Sequence, residues 1–144
     1  EITESLAMQD QAFTIKLMRE LRQQGIQLAI DDFGTGYSSL DYLKRFPINT
    51  LKIDRSFIRD LSTNSEDVAI VTAVIGLAQN LNLRVIAEGV ETMEQLVILR
   101  QRQCHEVQGF LFSKPVPGPE VEKLLERHAF DIMLEGLGAE AAAG

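Results

Sequence analysis

Thiol and imidazole are nearly absent from this chain, which has one cysteine, Cys104, and two histidines, His105 and His128, in 144 residues. A single cysteine excludes an internal disulfide and suits a reducing compartment. The histidines are far apart in sequence and Cys104 falls at an expected helix–strand junction, so a zinc cluster is disfavoured. The histidines read as surface residues and Cys104 as a small packing residue. Positive charge is also scarce. Against 21 Asp and Glu there are 14 Lys and Arg, a net charge of −7. That balance argues against a sequence-independent binder of nucleic-acid polymers, which gains affinity by neutralising phosphates. An acidic protein can still act on an anionic substrate when bound cations reverse the local field. No apolar run approaches the ~20 residues of a membrane span, and the first residues lack a signal-peptide pattern. The chain therefore reads as soluble and cytoplasmic, and its 45% hydrophobic content is enough for one domain with a real core.

What is present alternates. Residues 6–24 carry Phe13, Leu17 and Leu21 at four-residue spacing with Met18 on the flank, and Gly25 follows as a stop; this predicts one helix. Leu28–Ile30 is a strand, Ser38–Phe46 a short helix ended by Pro47, and Thr50–Asp54 a strand with Leu51 and Ile53 on one face and Lys52 on the other. Asn64–Ser65–Glu66 opens a long helix whose apolar stripe runs Ile70, Val71, Val74, Ile75, Leu77 and Ala78. Arg84–Glu91 is a strand with a polar end. Thr92 and Gln95 form a capping box for a helix to about Gln103. EVQGFLF, residues 106–112, is the last strand, and a final helix begins at Pro119. Strands alternating with helices predict parallel βαβ units. The small residues after about Leu134 read as a frayed tail.

The strand ends carry the chemistry. Asp31 and Asp32 close the first strand, Lys52 sits in the second, Glu88 closes the third and Gln108 lies in the fourth. In parallel α/β sheets and barrels the carboxyl ends of the strands form one face, so these side chains should converge. Several carboxylates with one lysine and no cysteine or histidine cluster describe a hard-cation site, for magnesium or manganese, with calcium also fitting. Paired cations of this kind can activate a water for in-line attack on phosphorus, and a nearby lysine can orient it or neutralise growing charge. Each residue also has a plainer use. Asp31–Asp32 could be a strand-end turn with a helix cap, Lys52 an edge-strand charge, Glu88 and Glu91 a solvated turn and a helix-start charge, and Gln108 a partner for a buried backbone group.

Five ordered segments weigh against the plainer uses: EITE at 1–4, DDFGTGYSSL at 31–40, LKIDRSFI at 51–58, AEGVE at 87–91 and QGFLFSKP at 108–115. Together they resemble the EAL-domain cyclic di-GMP phosphodiesterases, over residues 1 to about 130, with residues 131–144 as a C-terminal tail. The resemblance implies a (β/α)8 TIM-barrel-like fold, of which this chain supplies about the C-terminal half: strands five to eight with their helices and the trailing end of strand four. The Glu-Ala-Leu signature itself is expected upstream of EITE.

By the same resemblance the activity is metal-dependent hydrolysis of the bacterial second messenger cyclic di-GMP to linear pGpG; the alternative is an inactive EAL module that binds the nucleotide or a protein partner. Two Mg²⁺ or Mn²⁺ ions are implied, with Ca²⁺ inhibitory. Glu1, Asp31 and Glu88 resemble metal ligands, and Asp32 resembles the ligand of the second ion and a substrate contact. Lys52, Glu88 and Gln108 resemble catalytic groups, Gln108 also lying near the substrate. The loop Phe33, Gly34, Thr35 and Gly36, continued by Tyr37 and Ser38, resembles the element that links metal occupancy to dimerisation, with Glu4 and Glu91 as the carboxylates that steady it. A homodimer, accompanying sensory or cyclase domains and a membrane anchor elsewhere in the full-length protein are compatible with this pattern.

Overall fold

Each apolar strand run is followed by a helix, and the chain folds accordingly into a parallel sheet with helical crossovers. The structure, a computed structural model, describes residues 1–36, 40–104 and 106–126. Its strands are β1 (Ile2–Thr3), β2 (Ala29–Phe33), β3 (Thr50–Ile53), β4 (Arg84–Glu88) and β5 (Glu106–Gln108), ordered β1-β2-β3-β4-β5 and parallel throughout. Between them lie α1 (Glu4–Gln9), α2 (Gln11–Gln23), α3 (Leu40–Arg45), α4 (Arg55–Arg59), α5 (Ser65–Asn80) and α6 (Met93–Gln101), with α7 (Gly118–Glu126) after β5. All strands therefore end on one rim.

β3 is buried at every position, as expected of a strand covered on both faces. Lys52, on the face opposite Leu51 and Ile53, is buried as well, at 5% exposed, which removes the reading of it as a solvated edge charge. Val71, Val74, Ile75 and Ala78 of α5 pack into the core, each large aliphatic contributing about 1.5–3 kcal/mol by leaving water. Ile70, expected in that stripe, instead stays 39% exposed. The start of α5 is set by Asn64, whose side chain accepts the Glu66 N–H at 2.9 Å. The predicted capping box of α6 forms: Thr92 Oγ1 accepts the Gln95 N–H, and Gln95 Oε1 accepts the N–H groups of Thr92 and Glu91 at 3.0 and 2.8 Å. Buried Gln95 also donates to the Arg59 carbonyl at 3.1 Å and so ties α6 to α4.

Further expectations change, the strand over Arg84–Glu91 among them, since β4 ends at Glu88 and Gly89 turns to positive φ. Residues 6–24 are two helices, because Asp10 leaves helical geometry (φ −134°, ψ 88°) and its carboxylate caps the second by accepting the Phe13 N–H. Within α2 the buried residue is Met18, while Phe13 and Leu17 are 62% and 39% exposed. The last strand stops at Gln108 rather than Phe112. A side chain on Gly109 would collide with the Val90 backbone, and Leu111 N–H bonds the Val90 carbonyl at 3.0 Å, so the chain turns away from the sheet. The short helix after Pro-free DDFGTG begins by Leu40; Tyr37, Ser38, His105, His128 and the 131–144 tail lie outside the described residues.

Candidate metal-dependent active site

Two neighbouring residues on a regular strand point to opposite faces, so Asp31 and Asp32 should not share a site. A break in register resolves this. β2 pairs with β3 as Ile30↔Leu51 and then Phe33↔Ile53, leaving two residues of β2 opposite one of β3. Asp32 takes the left-handed conformation, φ 54°. This bulge re-aims a side chain, and carboxylate oxygens of Asp31, Asp32 and Glu88 all lie within 4.8 Å of one another. Oxygens on opposite sides of a small dication at about 2.1 Å would stand about 4 Å apart, so the donor set and its spacing fit hard cations.

A cation already sits among these groups. Lys52 Nζ is 2.6 Å from Glu88 Oε1, 2.9 Å from Glu1 Oε1 and 3.2 Å from Asp31 Oδ1. Burial works to lower the Lys52 pKa, but hydrogen bonds to Glu88, Glu1 and Asp31 outweigh it and hold it above the ordinary lysine value. In the cation-free site Lys52 is therefore an ammonium that donates hydrogen bonds to all three carboxylates. Glu1 joins the group through Lys52, its side chain 60% exposed, whereas those of Asp31 and Glu88 are 22% and 19% exposed.

Asp54, taken in the sequence only as the last residue of a strand, belongs to the site. It is the N-cap of α4, accepting the Ser56 N–H at 2.9 Å. Burial pushes its pKa up, and hydrogen bonds from Ser56, Asp32 and the Arg55 backbone bring it below the usual carboxylate range. Asp32 moves the other way, raised first by burial and then by the charges of Asp31 and Asp54. The two carboxyl groups interact, with Asp32 the more readily protonated. An Asp two residues before Ser and ahead of a hydrophobic pair is a helix-cap signal that points to this position.

A cavity of about 580 Å³ opens beside the cluster, lined in part by Asp32, Asp54, Glu88, Glu91, Gln108 and Phe110. Gln108 is brought there by its pairing with Glu88 across β4 and β5. Glu91 lines the same cavity as Thr35. The loop after β2 is held from below. Buried Glu4, 1% exposed, accepts the Gly34 N–H at 2.8 Å through Oε2, and Gly36 approaches its Oε1 closely. Gly34 has φ 100° and leaves no room for a side chain, since a Cβ would lie 2.9 Å from the Phe57 ring. Phe33 is buried and Thr35 Oγ1 donates to the Asp32 carbonyl at 2.8 Å. Cys104 is buried, and burial pushes its thiol up to about 11, in keeping with a packing role.

The family described as EAL domain matches residues 1–115. The chain belongs to the EAL domain family. Cyclic di-GMP phosphodiesterase NbdA of Pseudomonas aeruginosa is 50% identical over 131 residues, which are 91% of this chain and 17% of NbdA. The structure of PaMucR phosphodiesterase in complex with c-di-GMP superposes with a TM-score of 0.81 at 48% identity, covering 83% of this chain and 49% of that one. The manganese/cy-diGMP complex of Klebsiella pneumoniae BlrP1 gives a TM-score of 0.74 at 40% identity, over 78% of this chain and 29% of that one, and BlrP1 is also known as a calcium/cy-diGMP complex. The chain thus spans about half of the PaMucR phosphodiesterase chain and under a fifth of NbdA. It is a partial EAL domain, α/β in class, with its parallel strands forming part of a TIM-barrel-like fold. No helix among the described residues is long and apolar enough to cross a membrane.

Proposed function

We propose that the EAL domain containing this chain hydrolyses cyclic di-GMP to linear pGpG, and that the rim of strand ends described above is its reactive face. The observation that carries the reading is the meeting of Asp31, Asp32 and Glu88 within 4.8 Å beside a cavity of about 580 Å³, in a chain half identical to a named cyclic di-GMP phosphodiesterase. Asp31 and Glu88, with Glu1, would hold one divalent cation, magnesium or manganese, and Asp32 the second, with Asp54 beside it. Bound there, such cations supply Lewis-acid charge against the phosphodiester and a more acidic water.

The chain's own residues supply the rest. Lys52 would donate a hydrogen bond, orienting the attacking water or countering charge that grows on phosphate. The proton of that water goes to a carboxylate, with Glu88 the nearest to Lys52. Gln108, at the cavity wall, positions water or substrate through its amide. Glu4 fixes the Gly34 end of the loop that carries Asp32, and Glu91 flanks it across the cavity. Residues 1–130 act as the EAL portion and 131–144 as a tail. The wider setting is a cytoplasmic homodimer with accompanying sensory or cyclase domains, and calcium in place of magnesium supports binding without turnover. Incubating the intact protein with cyclic di-GMP and Mg²⁺ or Mn²⁺ should yield pGpG. Nucleotide binding in Ca²⁺ with no pGpG in either active metal would replace this reading with that of a non-hydrolytic binding module.

A further inference from the structure

Four of the side chains around the cavity are carboxylates, Asp32, Asp54, Glu88 and Glu91, and one alone is basic, Arg55. Arg55 is the first residue of α4, so the Asp54 cap that starts the helix also fixes where its side chain leaves the backbone. The end of β4 backs it from the other side. Gly89 has φ 75°, and a Cβ there would fall 2.6 Å from Arg55 Cβ. Close approach at that point needs glycine for both reasons, conformation and space. The stem of Arg55 is thereby set into the wall beside Glu88 while the residue as a whole stays exposed.

An arginine surrounded by carboxylates would ordinarily pair with one. Among the described residues Arg55 forms no ion pair. Its neighbours are taken: Glu88 is held by Lys52 at 2.6 Å and Asp54 by the Ser56 N–H at 2.9 Å. The guanidinium, always charged and carrying five N–H donors in a planar fork, belongs to a residue that lines the cavity and is left without a carboxylate partner among the described residues. The remaining wall is anionic or neutral, so an anion reaching beyond the cation cluster meets a favourable partner there at Arg55.

A cyclic dinucleotide carries two phosphodiesters, and only the one being cleaved can lie at the cations. We infer that Arg55 binds the second, non-scissile phosphate and so positions the dinucleotide for attack on the first. The inference rests on the phosphodiesterase reading above. Bidentate guanidinium–phosphate contacts are among the stronger charge-assisted hydrogen bonds.

The test is calorimetric titration of the intact protein with cyclic di-GMP in Ca²⁺, for the parent, Arg55→Ala and Arg55→Lys, followed by steady-state kinetics in Mn²⁺. Loss of a charge-assisted contact predicts a Kd raised about 10- to 100-fold in Arg55→Ala. Arg55→Lys should fall between the two, since lysine keeps a point charge for phosphate. KM should rise with Kd while kcat changes far less, the mark of a contact made equally before and during reaction. Mn²⁺ affinity, read by electron paramagnetic resonance, should match the parent in both variants. A parent that binds but an Arg55→Ala that binds equally well would overturn this inference alone. So would a parallel fall in Mn²⁺ affinity, or an Arg55→Lys as weak as Arg55→Ala, which would point instead to a fork read by a guanine edge. A parent that binds no cyclic di-GMP would remove the phosphodiesterase reading and this contact with it.

Discussion

Replacing Lys52 by methionine keeps an unbranched side chain one atom shorter and removes its charge, in a position only 5% exposed. The consequence differs between the cation-free and cation-loaded protein. Without divalent cation, the ammonium is what holds three carboxylates together at 2.6, 2.9 and 3.2 Å. The pair with Glu1 reaches a carboxylate that is 60% exposed, so it contributes about 0–1 kcal/mol. Asp31 and Glu88 are mostly enclosed, and leaving them unpaired costs less than the 3–5 kcal/mol of a fully buried pair because water still reaches both; about 2–3 kcal/mol is reasonable. The sum is about 3 kcal/mol, or a fall in Tm of about 6–12 °C for a domain of this size class. Divalent cations should reverse the order of benefit. In the parent an incoming cation must displace the ammonium, and in the variant it meets three carboxylates with no competitor. Differential scanning fluorimetry with and without saturating Mn²⁺ should therefore show a larger Mn²⁺-induced rise in Lys52→Met than in the parent. Hydrolysis should nevertheless drop by at least ~100-fold, since the donor is gone. A cation-free Tm within about 2 °C of the parent, or equal Mn²⁺-induced rises, would refute the view of Lys52 as the resident counter-charge.

Other perturbations test other parts of the rim. Asp31→Asn should weaken Mn²⁺ binding by at least ~10-fold, on the scale of losing a ligand or its support, measured by calorimetry; unchanged affinity would remove Asp31 from the cation set. Gly34→Ala meets both the Phe57 ring at 2.9 Å and a φ of 100°, and should cost about 1–3 kcal/mol in urea unfolding. Glu4→Gln keeps an acceptor for the Gly34 N–H but loses its charge, and should cost less than Glu4→Ala, which removes a hydrogen bond to a charged group at about 1.5–3 kcal/mol. The Asp32–Asp54 pair predicts a pH dependence. The Asp32 pKa is raised, so the penalty of charging it is present at neutral pH and is relieved as pH falls through that raised value. The Asp54 pKa is lowered, so its contribution is present above the ordinary aspartate value and is lost as pH falls through the depressed one. Cation-free Asp32→Asn should thus be more stable than the parent at neutral pH, with the gap closing on acidification as Asp32 itself becomes neutral. A gap that stays constant with pH would exclude the pair as its source.

The gathering of Asp31, Glu88 and Gln108 was legible because parallel strands must end on a common rim, and the strand runs were well marked. The capping box at Thr92 and Gln95 and the Asn64 cap were equally plain, since each depends on local chemistry alone. Asp32 was right in place but for a reason that period-two counting forbids; only the register shift against β3 lets it join its neighbour. Asp54 was overlooked because a strand's last residue and a helix's cap look alike until the short α4 is seen. The stripe through Phe13 and Leu17 shows the limit of periodicity: it identifies residues that share a face and says nothing about what covers it. Lys52 was expected on the face away from Leu51 and Ile53, and burial on both sides of β3 makes that face an enclosed ionic cluster, as the functional reading required, rather than the solvated edge of the plainer one.

The surplus residue in β2 has a consequence beyond the site it builds. Along a strand, each position's address, inward or outward, follows from parity, and one extra residue inverts the parity of all that come after. Phe33 returns to the interior, 4% exposed, only because of that inversion. Deleting either aspartate would thus do more than subtract a charge: it would send the phenylalanine toward the mouth and draw the loop out of step with the glutamate beneath it. Shortening β2 by one residue should therefore be far more damaging than neutralising both aspartates in place.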